Sequence, residues 1–299
     1  MRSSELYCRL LSQLRNNIGP QADKPDESPE STLDALWLCS LGRPASARTA
    51  QTQPLQPPDS AQVANLESLV QRRIDGAPLA HLTGRQHFMG MEMLAGPDAL
   101  VPRAETEILA GAALRIGDRL CPVTRSLRLV DVCTGSGNIA LMLAQRFPEA
   151  LVGGSDLSEA AIALAKRNAS HLGLSARVAF RVGDLLNPFH DDEWRGKVDL
   201  LTCNPPYISS AKVPAMPAEI ADHEPVMAFD GGPFGVSILM RLLREAPDVL
   251  RSGGWLAFEV GLGQGPAMQK RLGSATGFRN VELHRDANGQ IRSISAQLE

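Results

Sequence analysis

Leu127-Arg128-Leu129-Val130-Asp131-Val132-Cys133-Thr134-Gly135-Ser136-Gly137-Asn138 runs from an apolar stretch through an acid into a glycine-rich turn. Residues 127–133 read as a buried strand. Ile139, Leu143 and Phe147 then mark a helix that Pro148 closes. Glycines directly after a buried strand let the backbone turn sharply and let a ligand approach it closely. Outward from this stretch, strand and helix alternate. Strands are expected at Ala150 to Ser155, Arg177 to Val182, Lys197 to Cys203 and Trp255 to Val260. Between them lie a helix capped by Ser158 and ended by Gly173, and another near Val236 to Leu250. Phe278 to Gln297, with a turn at Asn288-Gly289, reads as a terminal hairpin. This alternation is the signature of an α/β fold with a parallel sheet covered on both faces.

The fourth of these strands stops at Asn204-Pro205-Pro206-Tyr207. Neither proline has an N–H to continue a hydrogen-bond ladder, so the turn is rigid and extended. The Asn204 side-chain oxygen and the Pro205 carbonyl form a pair of acceptors suited to an NH2 group. In isolation a Pro-Pro loop with a core tyrosine is the simpler reading.

The glycine turn admits two cofactors. Gly135-Ser136-Gly137-Asn138-Ile139-Ala140 matches a dinucleotide fingerprint, with the acid Asp156 about 20 residues on. A nicotinamide enzyme is therefore one reading. Asp131, just before the loop, suits a cationic ligand such as S-adenosylmethionine better than an anionic pyrophosphate. Asp156 is placed to accept the ribose hydroxyls, and Asp184, in Gly183-Asp184-Leu185-Leu186, to accept from an adenine amino group or simply to cap a loop.

Composition narrows the field. The 299 residues are 43% hydrophobic and 21% charged, with net charge −3, so no basic field argues for nucleic-acid binding. No apolar run approaches the ~20 residues of a membrane span, and the N-terminus lacks a signal-peptide core. Five scattered cysteines and six dispersed histidines predict reduced thiols, a cytoplasmic setting and no metal site.

Residues 1–75 are expected to form a small helical domain with little apolar content. Its stripes are Leu6, Leu10 and Leu14; Leu33 and Trp37; and Val63, Leu66, Val70 and Ile74. Gln21 to Glu30 and Pro44 to Ser60 read as loops or mobile linkers. Residues 76–105 read as a connector with a hairpin about Gly90, in which Met89, Met91 and Met93 share a face. Residues 106–299 are the main domain.

Taken together, the glycine loop, Asp156, Gly183-Asp184 and Asn204-Pro205-Pro206-Tyr207 resemble class I methyltransferases with a Rossmann-like sheet. Pro78-Leu79-Ala80-His81-Leu82-Thr83-Gly84, Val101-Pro102-Arg103 with Thr106-Glu107, Glu224-Pro225, Gly231-Gly232 and residues 253–261 extend the likeness. Over residues 62 to 299 the chain resembles the HemK/PrmC family of protein-(glutamine-N5) methyltransferases acting on peptide chain release factors. The resemblance implies S-adenosylmethionine as cofactor, held by Asp131, Cys133, Thr134, Gly135, Ser136, Gly137, Asp156, Asp184, Leu185 and Asn204. It implies an acceptor site at Asn204, Pro205, Pro206 and Tyr207, with Asn204, Pro205 and Tyr207 catalytic. It also implies a release-factor partner docked on the N-terminal helices, a monomer, and no membrane or direct nucleic-acid contact. A small-molecule amide or a nucleic-acid amino group is the alternative acceptor. The chain departs from the family pattern at Ala104-Glu105, at Cys133 (where glycine is frequent) and at Gly231-Gly232-Pro233-Phe234-Gly235. Arg103 and Glu107 either help shape the pocket mouth or, as the simpler reading for both, form surface ion pairs.

Overall fold

A computed structural model describes residues 2–19, 23–123, 126–216, 219, 223–273 and 277–299. Gln21 and Ala22, part of one expected loop, lie outside the described residues. The chain forms two units: residues 1–104 with 217–224, and residues 105–216 with 225–299.

The first unit holds helices α1 (Glu5–Asn17), α2 (Pro29–Ser40), α3 (Ala47–Ala50), α4 (Ser60–Ile74) and α5 (Leu79–Thr83), and the hairpin β1 (Arg85–Phe88) and β2 (Met91–Leu94). Its core is deeper than the leucine stripes suggest. Tyr7, Leu10, Leu14, Leu33, Leu36, Trp37, Leu66 and Val70 are all buried in one cluster. The proline-rich stretch 44–60 is no mobile linker: it carries α3, buries Ala45, Ala47 and Ala50, and accepts the Trp37 indole N–H at the Gln56 carbonyl, 2.9 Å away. Lys24 and Glu27 in the other expected loop are buried as well. The hairpin turns on Met89 and Gly90, both at positive φ (47° and 85°), as a two-residue connection between twisted strands requires. Met91 and Met93 are buried together, and Met89 belongs to the turn rather than to their face.

The second unit opens with α6 (Thr106–Leu120) and then builds one seven-stranded sheet. In chain order its strands are β3 (Arg128–Val132), β4 (Leu151–Asp156), β5 (Val178–Val182), β6 (Val198–Cys203), β7 (Leu250–Glu259), β8 (Phe278–Arg285) and β9 (Ile291–Leu298). Their spatial order is β5-β4-β3-β6-β7-β9-β8. Strands β3 to β7 are parallel, and β9 pairs antiparallel with both β7 and β8 as the expected terminal hairpin. The helices α7 (Asn138–Arg146), α8 (Glu159–His171), α9 (Ser237–Val249) and α10 (Gly265–Gly273) complete the unit. Strand β7 begins at Leu250, earlier than expected, because Val198 already pairs with Leu250 before a register shift.

The strand order reverses direction at β3. The chain steps from β3 outward through β4 to β5, then returns to lay β6 on the other side of β3. Open α/β sheets bind ligands beyond the carboxyl ends of the strands at such a switch. Val132 pairs with Cys203 across β3 and β6, and Cys203 pairs with Phe258 across β6 and β7. Three loops therefore leave the sheet side by side.

Candidate active site

The first loop is held from beneath. Asp131 is 1% exposed, and its two carboxylate oxygens accept from Thr134 Oγ1 at 2.6 Å and Thr202 Oγ1 at 2.7 Å. Burial pushes its pKa up to about 6, against the pull of these two hydroxyls. Asp131 therefore ties β3 to β6 and to the start of the loop. It was expected to meet a cationic ligand. Its contacts also make it the anchor of the loop.

Above this anchor the backbone turns through left-handed conformations at Cys133 (φ 55°), Gly135 (φ 54°) and Gly137 (φ 83°). At Gly137 a Cβ would stand 2.9 Å from the Phe180 ring, so glycine is required on two grounds. At Gly135 a Cβ would meet nothing within 4 Å, which leaves open space beside this backbone. Cys133 is the exception to the glycine pattern, because a side chain there adopts a backbone that glycine takes without strain. Asn168, wholly buried, donates Nδ2 to the Ser136 carbonyl at 3.0 Å and fixes the loop from α8. The buried Ser136 hydroxyl has no partner among the described residues.

Asp156 ends β4 opposite this loop. Its Oδ2 accepts from the Gly135 N–H and its Oδ1 from the Ser158 N–H, both at 2.9 Å. Each oxygen has capacity for a second donor, as a pair of ribose hydroxyls requires. Burial raises its pKa despite the backbone donors. At the end of β5, Asp184 is engaged by Arg241 of α9 through two hydrogen bonds of 3.1 and 2.9 Å, a partner that the sequence did not announce. Leu185 beside it is 5% exposed and adopts φ 47°. The open space at Gly135, the spare lone pairs of Asp156 and the unpartnered Ser136 hydroxyl fit an adenosyl cofactor carrying ribose hydroxyls.

The second loop is the Asn204-Pro205-Pro206-Tyr207 turn after β6. The Asn204 Nδ2 donates to Thr106 Oγ1 at 3.1 Å, and no described group donates to its Oδ1. The Tyr207 hydroxyl donates to Glu259 Oε1 at 2.8 Å. Thr106, the first residue of α6, donates to Glu259 Oε2 at 2.9 Å. Gln264 ties three segments together: its Nε2 donates to the carbonyls of Tyr207 (2.9 Å) and Gly235 (3.0 Å), and its Oε1 accepts from the Gly261 N–H (2.9 Å). Phe234 and Leu262, next to two of these anchored residues, are 83% and 67% exposed. Thr106, Glu259, Gln264, Thr202, Asn168 and Arg241 are the residues that motif reading missed. Only Thr106 and Glu259 fell inside quoted motifs, and neither was given a role.

Arg103 is not a surface residue. Within the first unit its guanidinium donates to Glu224 Oε1 at 2.5 Å, and Glu224 Oε2 accepts the Val101 N–H at 3.0 Å, all buried. The two segments Val101-Pro102-Arg103 and Glu224-Pro225, remote in sequence, thus meet through one carboxylate. Among the described residues no group of three or more His, Cys, Asp or Glu could hold a metal ion, and no helix is long and apolar enough to cross a membrane.

The catalytic half of this geometry has known counterparts. A family described as "Methyltransferase domain" matches residues 124–261. A release factor glutamine methyltransferase of Moorella thermoacetica is 40% identical over 273 residues, covering 90% of this chain and 92% of that protein. One of Geobacter sulfurreducens is 36% identical, covering 89% of each. The chain belongs to the release factor glutamine methyltransferase family. Among solved structures, the hMettl16 catalytic domain superposes with a TM-score of 0.53 at 14% identity, covering 82% of this chain and 94% of that one, a likeness of fold. Membership across nearly the full length decides between the two cofactors that the glycine loop left open: it is S-adenosylmethionine, and the nicotinamide reading falls.

Two outcomes follow from the loop geometry. Cys133→Gly is expected to be more stable than Cys133→Ala by about 1 kcal/mol, because both lose the thiol but only alanine keeps a Cβ at positive φ. Urea denaturation of the two variants measures the difference. Asp156→Ala removes the acceptor for both the Gly135 N–H and a ribose. It should weaken S-adenosylhomocysteine binding on the order of 10–100-fold by calorimetry, the range expected for losing a charged hydrogen-bond partner.

Proposed function

We propose that this protein methylates the side-chain amide nitrogen of the glutamine in the Gly-Gly-Gln loop of peptide chain release factors, in the cytoplasm. The observation that carries the reading is Asn204 Oδ1, which accepts from no described group and stands directly before Pro205 at the end of the strand bordering the glycine loop.

A carboxamide nitrogen is a poor nucleophile because its lone pair is delocalised into the carbonyl. When bound, S-adenosylmethionine supplies a methyl group on a positively charged sulfur. Asn204 Oδ1 and the Pro205 carbonyl accept the two N–H groups of the substrate amide and point its nitrogen at that methyl. Positive charge grows on the nitrogen during transfer, so two fixed acceptors stabilise the transition state more than the ground state. The sulfur leaves as the neutral thioether, and the methylated nitrogen gives up one proton to solvent. Holding the nitrogen in line converts an encounter into an oriented step, an effect worth up to roughly 7–11 kcal/mol in the best cases. Tyr207 packs against the amide plane, its hydroxyl anchored away from the substrate on Glu259. Asp156 holds the ribose, and Asp184 and Leu185 flank the adenine. The N-terminal helical unit docks the release factor, and the protein acts as a monomer.

Asn204→Ala is expected to lower kcat by on the order of 100–1,000-fold, the range for removing one oriented charge-stabilising group, with S-adenosylhomocysteine affinity nearly unchanged. The check is transfer of labelled methyl to a release factor, with mass mapping of the product. Wild-type turnover in this variant, or label on any residue other than the loop glutamine, would overturn the reading.

A further inference from the structure

We infer that Thr106 and Glu259 are positioning residues that set the direction of the Asn204 amide, through a one-way chain of hydrogen bonds running from Asn204 to Thr106 to Glu259. The inference deepens the proposed function and rests on its assignment of Asn204 Oδ1 as an acceptor.

The chain follows from counting protons. An asparagine side chain has one end that donates and one that accepts, and the two are nearly the same shape. Packing alone does not choose between them. Thr106 Oγ1 has a single proton, and a carboxylate oxygen, Glu259 Oε2, lies 2.9 Å from it. Ionised Glu259 has nothing to donate, so Thr106 must give its proton to Glu259. What Oγ1 then presents to Asn204 is lone pairs, and only Nδ2 can answer them, at 3.1 Å. A flipped Asn204 would set Oδ1 against an oxygen whose proton is already spent, leaving two acceptors face to face in a buried site. Oδ1 is thereby turned toward the position of the substrate N–H.

Glu259 acts on the other flank of the turn as well. Its second oxygen accepts the Tyr207 hydroxyl, so one carboxylate fixes both the amide and the aromatic ring of Asn204-Pro205-Pro206-Tyr207. The sheet supplies the alignment. Cys203 pairs with Phe258, so Asn204 and Glu259 are each one residue beyond a paired position on neighbouring strands. Glu259 is 1% exposed and Thr106 is 2% exposed, so water does not substitute for the bond between them.

The groups facing Glu259 are Tyr207, Thr106, Arg292 of β9 and Glu105 before α6. Arg292 lies 3.7 Å from Glu105 and shares its charge between the two acids. Burial raises the pKa of Glu259 to about 7, opposed first by the Tyr207 and Thr106 hydroxyls and then by Arg292. Protonated, Glu259 carries a hydrogen that must point at one of its two donors, and the chain loses its fixed direction.

The test combines activity with a readout on the free enzyme. Thr106→Val keeps the shape and removes the hydroxyl. Glu259→Gln keeps the shape and places an NH2 where an acceptor stood. Each should lower kcat for release-factor methylation on the order of 10–100-fold, the scale of a small misplacement of a reacting group. KM and S-adenosylhomocysteine affinity should stay within about threefold, and Thr106→Ser should restore most of the rate. The double variant should be no worse than the poorer single one, because both break the same chain. Wild-type kcat should rise with pH through an apparent pKa near 7, a limb absent in Glu259→Gln. Without any substrate, the Asn204 side-chain amide in a ¹⁵N–¹H spectrum, assigned by its loss in Asn204→Ala, should show one slowly exchanging proton. That protection should persist in Thr106→Ser and vanish in Thr106→Val. Unchanged protection in Thr106→Val, or additive losses in the double variant, would overturn the inference. If the wild-type enzyme fails to methylate a release factor while the exchange pattern holds, the proposed substrate falls and the chain stands.

Discussion

The pairing of Asp131 with Thr202 across β3 and β6 is the interaction on which the site depends. These residues are partners in the strand register and are also joined through their side chains. Strand β6 reaches β3 only after the chain has travelled out to the sheet edge and back, so nothing local places it there. A buried carboxylate bridging the two strands makes a register slip costly. A one-residue shift would turn Thr202 to the other face and leave one oxygen of a desolvated acid without its donor. The same acid accepts from Thr134 and so carries the register into the glycine loop. The cofactor loop and the acceptor turn are thus located against each other by one side chain.

Backbone strain concentrates where the ligands are expected. Among the described residues four non-glycine residues sit at positive φ, and two of them, Cys133 and Leu185, flank the cofactor loops and pack in or against the core. Strain of this kind costs on the order of 1–3 kcal/mol per residue and persists when the surrounding structure leaves no alternative. At Cys133 the turn demands a left-handed residue, and the adjoining core, with buried Cys203, accommodates a thiol.

Legibility in the sequence tracked how local each signal was. Glycine and proline act on their own backbone, so the cofactor loop and the Asn204 turn could be read without knowing any partner. The alternating second unit was legible for the same reason, strand by strand. Thr106 and Glu259 were not legible as a pair. They are separated by 153 residues, and each has an ordinary local reading, as a helix start and a polar strand end. Arg241 reads as the solvent side of a helix until Asp184 is brought to it. The stretch from Pro44 to Ser60 looked like a linker because its buried residues are three alanines and a serine, which carry little weight in a hydrophobic pattern.

Glu259 bears on why an acid sits in this site at all. Its pKa in the folded protein, about 7, lies above the 4.5 of an unperturbed glutamate. A carboxyl shifted upward on folding binds its proton more tightly in the native state. It therefore lowers stability at pH values above 7, and that loss is recovered as pH falls from 7 toward 4.5. The shift corresponds to roughly 3 kcal/mol at neutral pH and above. An apolar residue of similar size could remove that cost, as replacements of buried ionic groups often do. It could not take a proton from Thr106, and without that acceptor Asn204 has no reason to face one way rather than the other. The destabilising charge and the direction of the amide are the same physical fact, seen once in the folding equilibrium and once in the geometry offered to the substrate.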